Sequence, residues 1–582
     1  MPSRRQTGRV EGTVTGAASR ETAVRAGPGN PSRAVPVQKE VASLMSVDLS
    51  RRRLLQALGA TGILSATSWL DTACANLHAQ ESGLRLGPPR PFSYYRLREH
   101  ARVLARRPCH PTPAPHPKRL DRITYDVYQK IRFRSRDALW RGGNHHWPVE
   151  LFHLGKYARK PVEIHAVADG QARRIRYSPD LFDYGDTGMR AGAPPDLGFS
   201  GFRAMHTDGA KGDWLAFQGA SYFRSAGPLN QYGLSARGIA IDTTAPGHRE
   251  EFPRFTALYL EEPAEDADTL VVYALLDGVS LTGAYRIACH KHHAIVMDIH
   301  ADLYQRRDIA QLGIAPLTSM YWYSETNERV GTDWHPEIHD SDGLAMWTGA
   351  GERIWVPLND PPHVQTNSYT DHDPRGFGLL QRDRNFDHYL DDSAYYNRRP
   401  SVWVEPRGGW GHGAVVLTEL PTDDETQDNI VAFWQPARKA ASGDHWSLDY
   451  RLYWVATEPF PPAVAHVVDT RLGRPGVPGQ HGKRDPHGRK FVIEFTGGPL
   501  EHMKQRFDIE PVVTVSRGQV HNRHVLKILG TDRWRAQFDL HVLGSDPVNL
   551  RCYLRLKHRT LSETWLYQYL PGNYGFTNPA AR

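Results

Sequence analysis

Residues 269–276 read TLVVYALL, residues 284–290 AYRIACH and residues 294–304 AIVMDIHADLY. Each run is rich in β-branched and aromatic residues and alternates apolar with polar positions. The breaks between them, LDGVSLTG and HKHH, are turn-forming. That period of two predicts short antiparallel strands.

The same rhythm extends from about residue 145 towards the C-terminus. SVWVEP (401–406) and AVVLTEL (414–420) flank RGGWGHG and read as a hairpin; NIVAFWQP and HWSLDYRLYWVA continue the sheet. Over residues 457–490 the rhythm stops in a stretch rich in Pro, Gly, His and basic residues. Strands then resume as FVIEF, VVTVS, HVLKIL, RAQFDLHVL, LRCYLRL and ETWLYQYL. That number of short strands fits a small immunoglobulin-like sandwich. Before the strands, residues 92–106 and 121–132 carry helical apolar spacing, separated by Pro-rich 108–117. The fold class is therefore all-β, and 582 residues imply two or three domains.

The first 79 residues stand apart. Residues 1–44 are rich in Gly, Ser, Pro and Arg without a periodic apolar face, which predicts an unstructured extension, and Met45 offers an alternative start. Residues 45–79 carry Ser50-Arg51-Arg52-Arg53-Leu54-Leu55-Gln56, an apolar run from Ala57 to Leu70 and the small-residue end Leu77-His78-Ala79. They read as a twin-arginine export signal, against the alternatives of a short amphipathic helix or a lipidated Cys74. This segment holds ten Lys/Arg against five Asp/Glu, so removing it reduces the formal net charge from +7 to about +2. So small a charge gives no argument for a nucleic-acid partner. Cys109, Cys289 and Cys552 are too dispersed for a disulfide framework or a zinc site.

From Leu312 to Pro436 aromatic rings, carboxylates and guanidiniums are unusually dense. Flat rings stack on sugar C–H faces and planar ionic groups grip hydroxyls, although sheet cores use the same rings. Two acidic clusters lie at strand ends, Asp340 and Asp342 in HDSDG and Asp423, Asp424, Glu425 and Asp428 in PTDDETQDNI. Glycoside cleavage needs one protonated and one ionised carboxyl; acidic turns are also simply well solvated, and composition does not select the pair. His335-Pro-Glu-Ile-His339 lacks the H-E-x-x-H order and a third ligand, so no metal and no cofactor is expected. No Walker loop, Rossmann fingerprint or G-x-S-x-G elbow occurs, and the glycines of 408–413 precede no helix.

LGIAPLTSMYW, IHDSDGL, GFGLLQRDR, YYNRRPSVWVEP, DNIVAFWQP, GASYFR (219–224), QYGLSARGIAIDT (231–243) and SETWLYQYL (562–570) give the chain its resemblance to a known family. From about residue 90 to 573 it resembles the periplasmic osmoregulated-glucan biosynthesis proteins, OpgG and OpgD, and the export signal is closer to the OpgD branch. The resemblance implies a large galactose-mutarotase-like β-sandwich over 80–470 with N-terminal helices, a linker at 471–488 and an immunoglobulin-like domain at 489–575. It implies a periplasmic protein acting on β-1,2-glucan, with Asp340 and Asp428 as an inverting acid/base pair. The assignment taken is Asp428 as general acid and Asp340 as general base, with the reverse left open. Tyr396, Trp347 and Glu425 join the substrate-binding expectation. Arg382, Asp383 and Arg384 either bind sugar hydroxyls or form a buried ionic network. A second copy of the chain and membrane glucan-synthesis machinery are the further partners left open.

One departure concerns the loop 471–488, RLGRPGVPGQHGKRDPHG, which lacks the cleft-closing aromatic of glucan-hydrolysing relatives. Water access decides between hydrolysis and transfer, so an inverting, even cyclising, transglycosylase is the first alternative. A non-catalytic glucan-binding protein is the second.

Overall fold

The computed structural model describes residues 83–571 apart from 142–146, 208, 266, 329–330, 477–484 and 486. The expected extension, the export signal and Cys74 lie outside the described residues. The chain divides after Thr67, and everything described belongs to the second unit, Ser68–Arg582. Among the described residues no helix is long and apolar enough to cross a membrane.

The three opening runs are the strands Thr269–Asp277, Leu281–Lys291 and Ile295–Gln305, paired antiparallel in sequence order. Their ladder continues through His445–Val455, Ser401–Pro406, Gly376–Leu380, Gly343–Trp347 and Arg353–Pro357. A second sheet of ten strands is centred on Leu312–Ser319, flanked by Ile430–Pro436 and Ser235–Arg237. The inward residues of both sheets form one core: Leu258, Val272, Ile287 and Ile299 from the first meet Phe202, Phe217, Leu317 and Trp434 from the second. The protein is a β-sandwich, the architecture that the family resemblance implies.

The helix Tyr94–Leu104 is capped by the Ser93 hydroxyl, which accepts from Arg96 N. It buries Leu97 and Ala101 against Ala257, Leu275 and Ala284 on the first sheet's outer face. The second expected helix is shorter, Tyr125–Lys130. Cys109, Cys289 and Cys552 are free thiols.

The predicted hairpin across 401–420 does not form. Ser401–Pro406 pairs with Gly376–Leu380 and His445–Val455 in the first sheet, whereas His412–Glu419 pairs with Gln365–His372 and Ile430–Pro436 in the second. Trp410 marks the crossing, its ring 6.1 Å from Trp434 of one sheet and 6.2 Å from Tyr450 of the other. NIVAFWQP and HWSLDYRLYWVA accordingly lie in different sheets.

Towards the C-terminus a four-stranded sheet orders His466–Gly473, Gly488–Thr496, Trp534–His541 and Gln519–Lys527. It packs over Ile509–Val515, Val548–Leu556 and Thr564–Tyr569 around Phe491, Phe538, Trp534 and Trp565. Thr564–Tyr569 pairs in parallel with Arg353–Pro357, so this region is hydrogen-bonded into the first large ladder.

Candidate active site

The central strand Leu312–Ser319 brings the two acidic loops together. Where it ends, Asp340 N donates to Met320 O at 2.8 Å. One residue on, Tyr321 N donates to the Asn429 side chain at 2.8 Å, and the Asn429 amide returns a bond to Tyr321 O at 2.8 Å. Asp340 and the residue after Asp428 are thus fastened to consecutive positions of one backbone.

Arg399 donates to the Asp340 carboxylate and lies 4.1 Å over the Tyr396 ring, and the Tyr396 hydroxyl donates to Glu425. This chain of contacts ties the 340, 396–399 and 425 loops into one wall. Arg237, on the strand beside Leu312–Ser319, donates to Thr318 Oγ1 at 2.7 Å and to Glu250 at 2.8 Å. Arg224 lies 4.6 Å over the Tyr232 ring.

Asp340 is almost wholly buried, 4 % exposed, and burial raises its pKa against the opposing Arg399 cation. Asp428 is open to solvent, yet the surrounding protein desolvates its carboxyl enough to raise it, and the negative charge of Asp340 raises it further. Arg237, Arg224 and Arg399 pull the Asp428 value back down. Two carboxyls whose charges repel favour one proton between them. That arrangement suits general acid–base chemistry on a bond placed between them.

The other expected residues are distributed differently. Arg382 donates to Glu563 at 2.6 Å and to Val467 O at 2.9 Å, and lies 3.7 Å over the Trp355 ring. Arg384 donates to three backbone carbonyls, Ala456, Asn397 and Arg399. Both guanidiniums therefore belong to the buried-network reading of QRDR: their donors are occupied by protein. Asp383 is bonded to His388 and accepts from Asn385 N. Trp347 closes the far end of the strand that starts after Asp342; Arg353 and Arg375 lie 3.9 and 5.2 Å from its ring. It is not gathered with the aspartate pair. Asp342 accepts from Arg382 N and Asp383 N, and burial pushes it up to about 6.

The two imidazoles of His335-Pro-Glu-Ile-His339 diverge. Burial works against charge on His339, but its bond to Glu337 at 3.1 Å carries the pKa up to about 9. His335 instead faces Asp333 and Asp391. Among the described residues Glu337, Asp383 and His388 bring ligand-type atoms within 4.8 Å of one another, though His339 and the Asp383–His388 bond already engage them.

Arg399, Arg224, Arg237 and Asn429 were not singled out from sequence. All four lie inside motifs quoted above, YYNRRP, GASYFR, QYGLSARG and DNIVAFWQP. Long motifs carrying Arg with no helical or core periodicity were the available signal.

A β-sandwich holding one buried and one exposed aspartate among arginines belongs to the class of carboxylate-bearing β proteins. The particular family follows from comparison: residues 92–569 match the model of "Periplasmic glucan biosynthesis protein, MdoG", and the chain belongs to that family. It is 48% identical over 534 residues to "Glucans biosynthesis protein D 2" of Ralstonia nicotianae, covering 90% of this chain and 98% of that one. It is 47% identical over 533 residues to "Glucans biosynthesis protein D" of Xanthomonas oryzae pv. oryzae, with the same coverage. The protein of that name from Stenotrophomonas maltophilia is 47% identical over 503 residues, 86% of this chain and 94% of the other. Among solved structures, a galactose mutarotase related enzyme of Lactobacillus acidophilus aligns over 44% of this chain and 96% of its own, at 10% identity and TM-score 0.20.

Proposed function

We propose that this protein is a periplasmic enzyme that cleaves β-1,2-glucan with inversion, Asp428 acting as general acid and Asp340 as general base. The observation that carries the reading is the difference between the two carboxyls. Asp340 is buried and clamped by the Arg399 guanidinium: burial raises its pKa and the guanidinium opposes that rise. Asp428 lies open to the cleft, with burial and the Asp340 charge both favouring its protonated form. In the cleavage step Asp428 gives its proton to the leaving glycosidic oxygen. Asp340 takes a proton from the water that attacks the anomeric carbon from the opposite face. Arg224, Arg237 and Arg399 keep the remaining negative charge tolerable in the recess. The names of the relatives, glucans biosynthesis proteins, support glucan as the substrate class.

The test is incubation of linear β-1,2-glucan with purified protein and separation of the products by size and linkage. Shorter linear products are expected. Unchanged glucan from a folded sample would reject cleavage and leave a glucan-binding role in backbone synthesis. A second reading, transfer to another sugar hydroxyl, draws on the stretch 471–488, whose sequence contains no aromatic residue. Cyclic or lengthened products would select it.

A further inference from the structure

We infer that Trp334 is a sugar-stacking subsite for the glucan chain. The inference rests on the proposed substrate class but not on the proposed reaction.

Trp334 is 69% exposed, and among the described residues it is the one tryptophan found with the exposed large apolar side chains. Single exposed apolar residues are ordinary. This ring is different because it is held. One face stacks on the His335 imidazole, centroids 3.8 Å apart and planes 28° apart, leaving the rest of the indole to solvent. His335 is in turn gripped on both sides, Nδ1 by Asp333 and Nε2 by Asp391 at 3.3 Å. Its carbonyl accepts from the Tyr323 hydroxyl at 2.9 Å. Tyr323 packs with Ile338, Tyr389 and Tyr396, the last of which reaches Glu425 and lies beneath Arg399 of the candidate active site.

An aromatic plate fixed before the ligand arrives loses little conformational entropy on binding. Its electron-rich face suits the C–H face of a pyranose, and the part-exposed Asp333 carboxylate beside it offers acceptors for hydroxyls. The loop that carries Trp334 runs directly into Asp340. Six residues span at most about 20 Å, so the plate lies within reach of the same oligosaccharide.

The experiment compares Asp428→Asn with Asp428→Asn/Trp334→Ala by calorimetric titration with linear β-1,2-glucans of increasing length, and adds Trp334→Tyr as the conservative variant. The expected result is an affinity loss that grows with chain length to about tenfold and is largely restored by tyrosine. Quenching of indole fluorescence by long glucan should shrink in the alanine variant. Equal affinities at every length would overturn the subsite even if the wild type cleaves glucan. An absence of binding by both proteins would overturn the substrate class together with the subsite. Failure of the wild type to cleave glucan that it nonetheless binds through Trp334 would remove only the reaction. Thermal unfolding of each variant separates a binding loss from a folding loss.

Discussion

Arg399 and Asp340, 59 positions apart in the chain, form a buried ion pair. Burial raises the Asp340 pKa and the guanidinium opposes that rise. Removing the cation leaves burial unopposed, so the carboxyl ionises only at higher pH. If Asp340 is the base, Arg399→Ala moves the acidic limb of the pH–activity profile upward. Arg399→Lys, which keeps the charge but not the planar fork, should restore part of the shift. An unmoved acidic limb with lowered activity would show that Arg399 acts only through packing.

Asp428→Asn and Asp340→Asn should each lower kcat on β-1,2-glucan by roughly 10²–10⁴-fold, the usual range for losing a positioned acid or base. Glucan binding should persist, because both substitutions keep the shape of the recess. Retained turnover in both variants would exclude the pair.

The acidic loops and the alternation of strands were legible because each is a local pattern. The mispairing of 401–420 was not, because the two strands have good β patterns whichever partners they take. Their separation depends on Trp410 packing between Trp434 and Tyr450, and those contacts lie 24 and 40 positions away. Arg399, Arg237 and Arg224 were invisible as site residues for a related reason. Arg382 and Arg384 have the same chemistry and an equally dense motif, yet they bond to Glu563 and to backbone carbonyls, whereas Arg399 bonds to Asp340. Which arginine faces the cleft is a property of the sheet pairing, not of the residue type.

Arg382 gives the next expectation. Its guanidinium joins the first large ladder to the C-terminal sandwich, bonded to Glu563 and stacked on Trp355. The Glu563 side chain is 2% exposed, so Arg382→Ala leaves a buried carboxylate without its main cation. The expected cost is roughly 3–5 kcal/mol, read from urea unfolding. Glucan affinity of the folded fraction should be unaffected. A variant of normal stability that binds glucan poorly would instead put Arg382 in the cleft.

Glu419 predicts how stability depends on pH. It lies at the end of the strand His412–Glu419, 3% exposed, and accepts from Asn359 N at 2.7 Å. Burial pushes its pKa up to about 8, with help from the neighbouring Asp360, against an ordinary value of 4.5. Between those two values the folded protein holds a proton that the unfolded chain releases. The contribution is therefore complete below about pH 4.5 and is lost as pH rises through about 8, a change on the order of a few kcal/mol. Glu419→Gln keeps an acceptor for Asn359 and cannot ionise. The variant should lose less Tm than the wild type between pH 5 and pH 9, and the two should differ most at the alkaline end. Parallel Tm–pH curves would mean that Glu419 is already ionised in the folded protein, with water reaching a carboxyl that the packing of this strand end otherwise encloses.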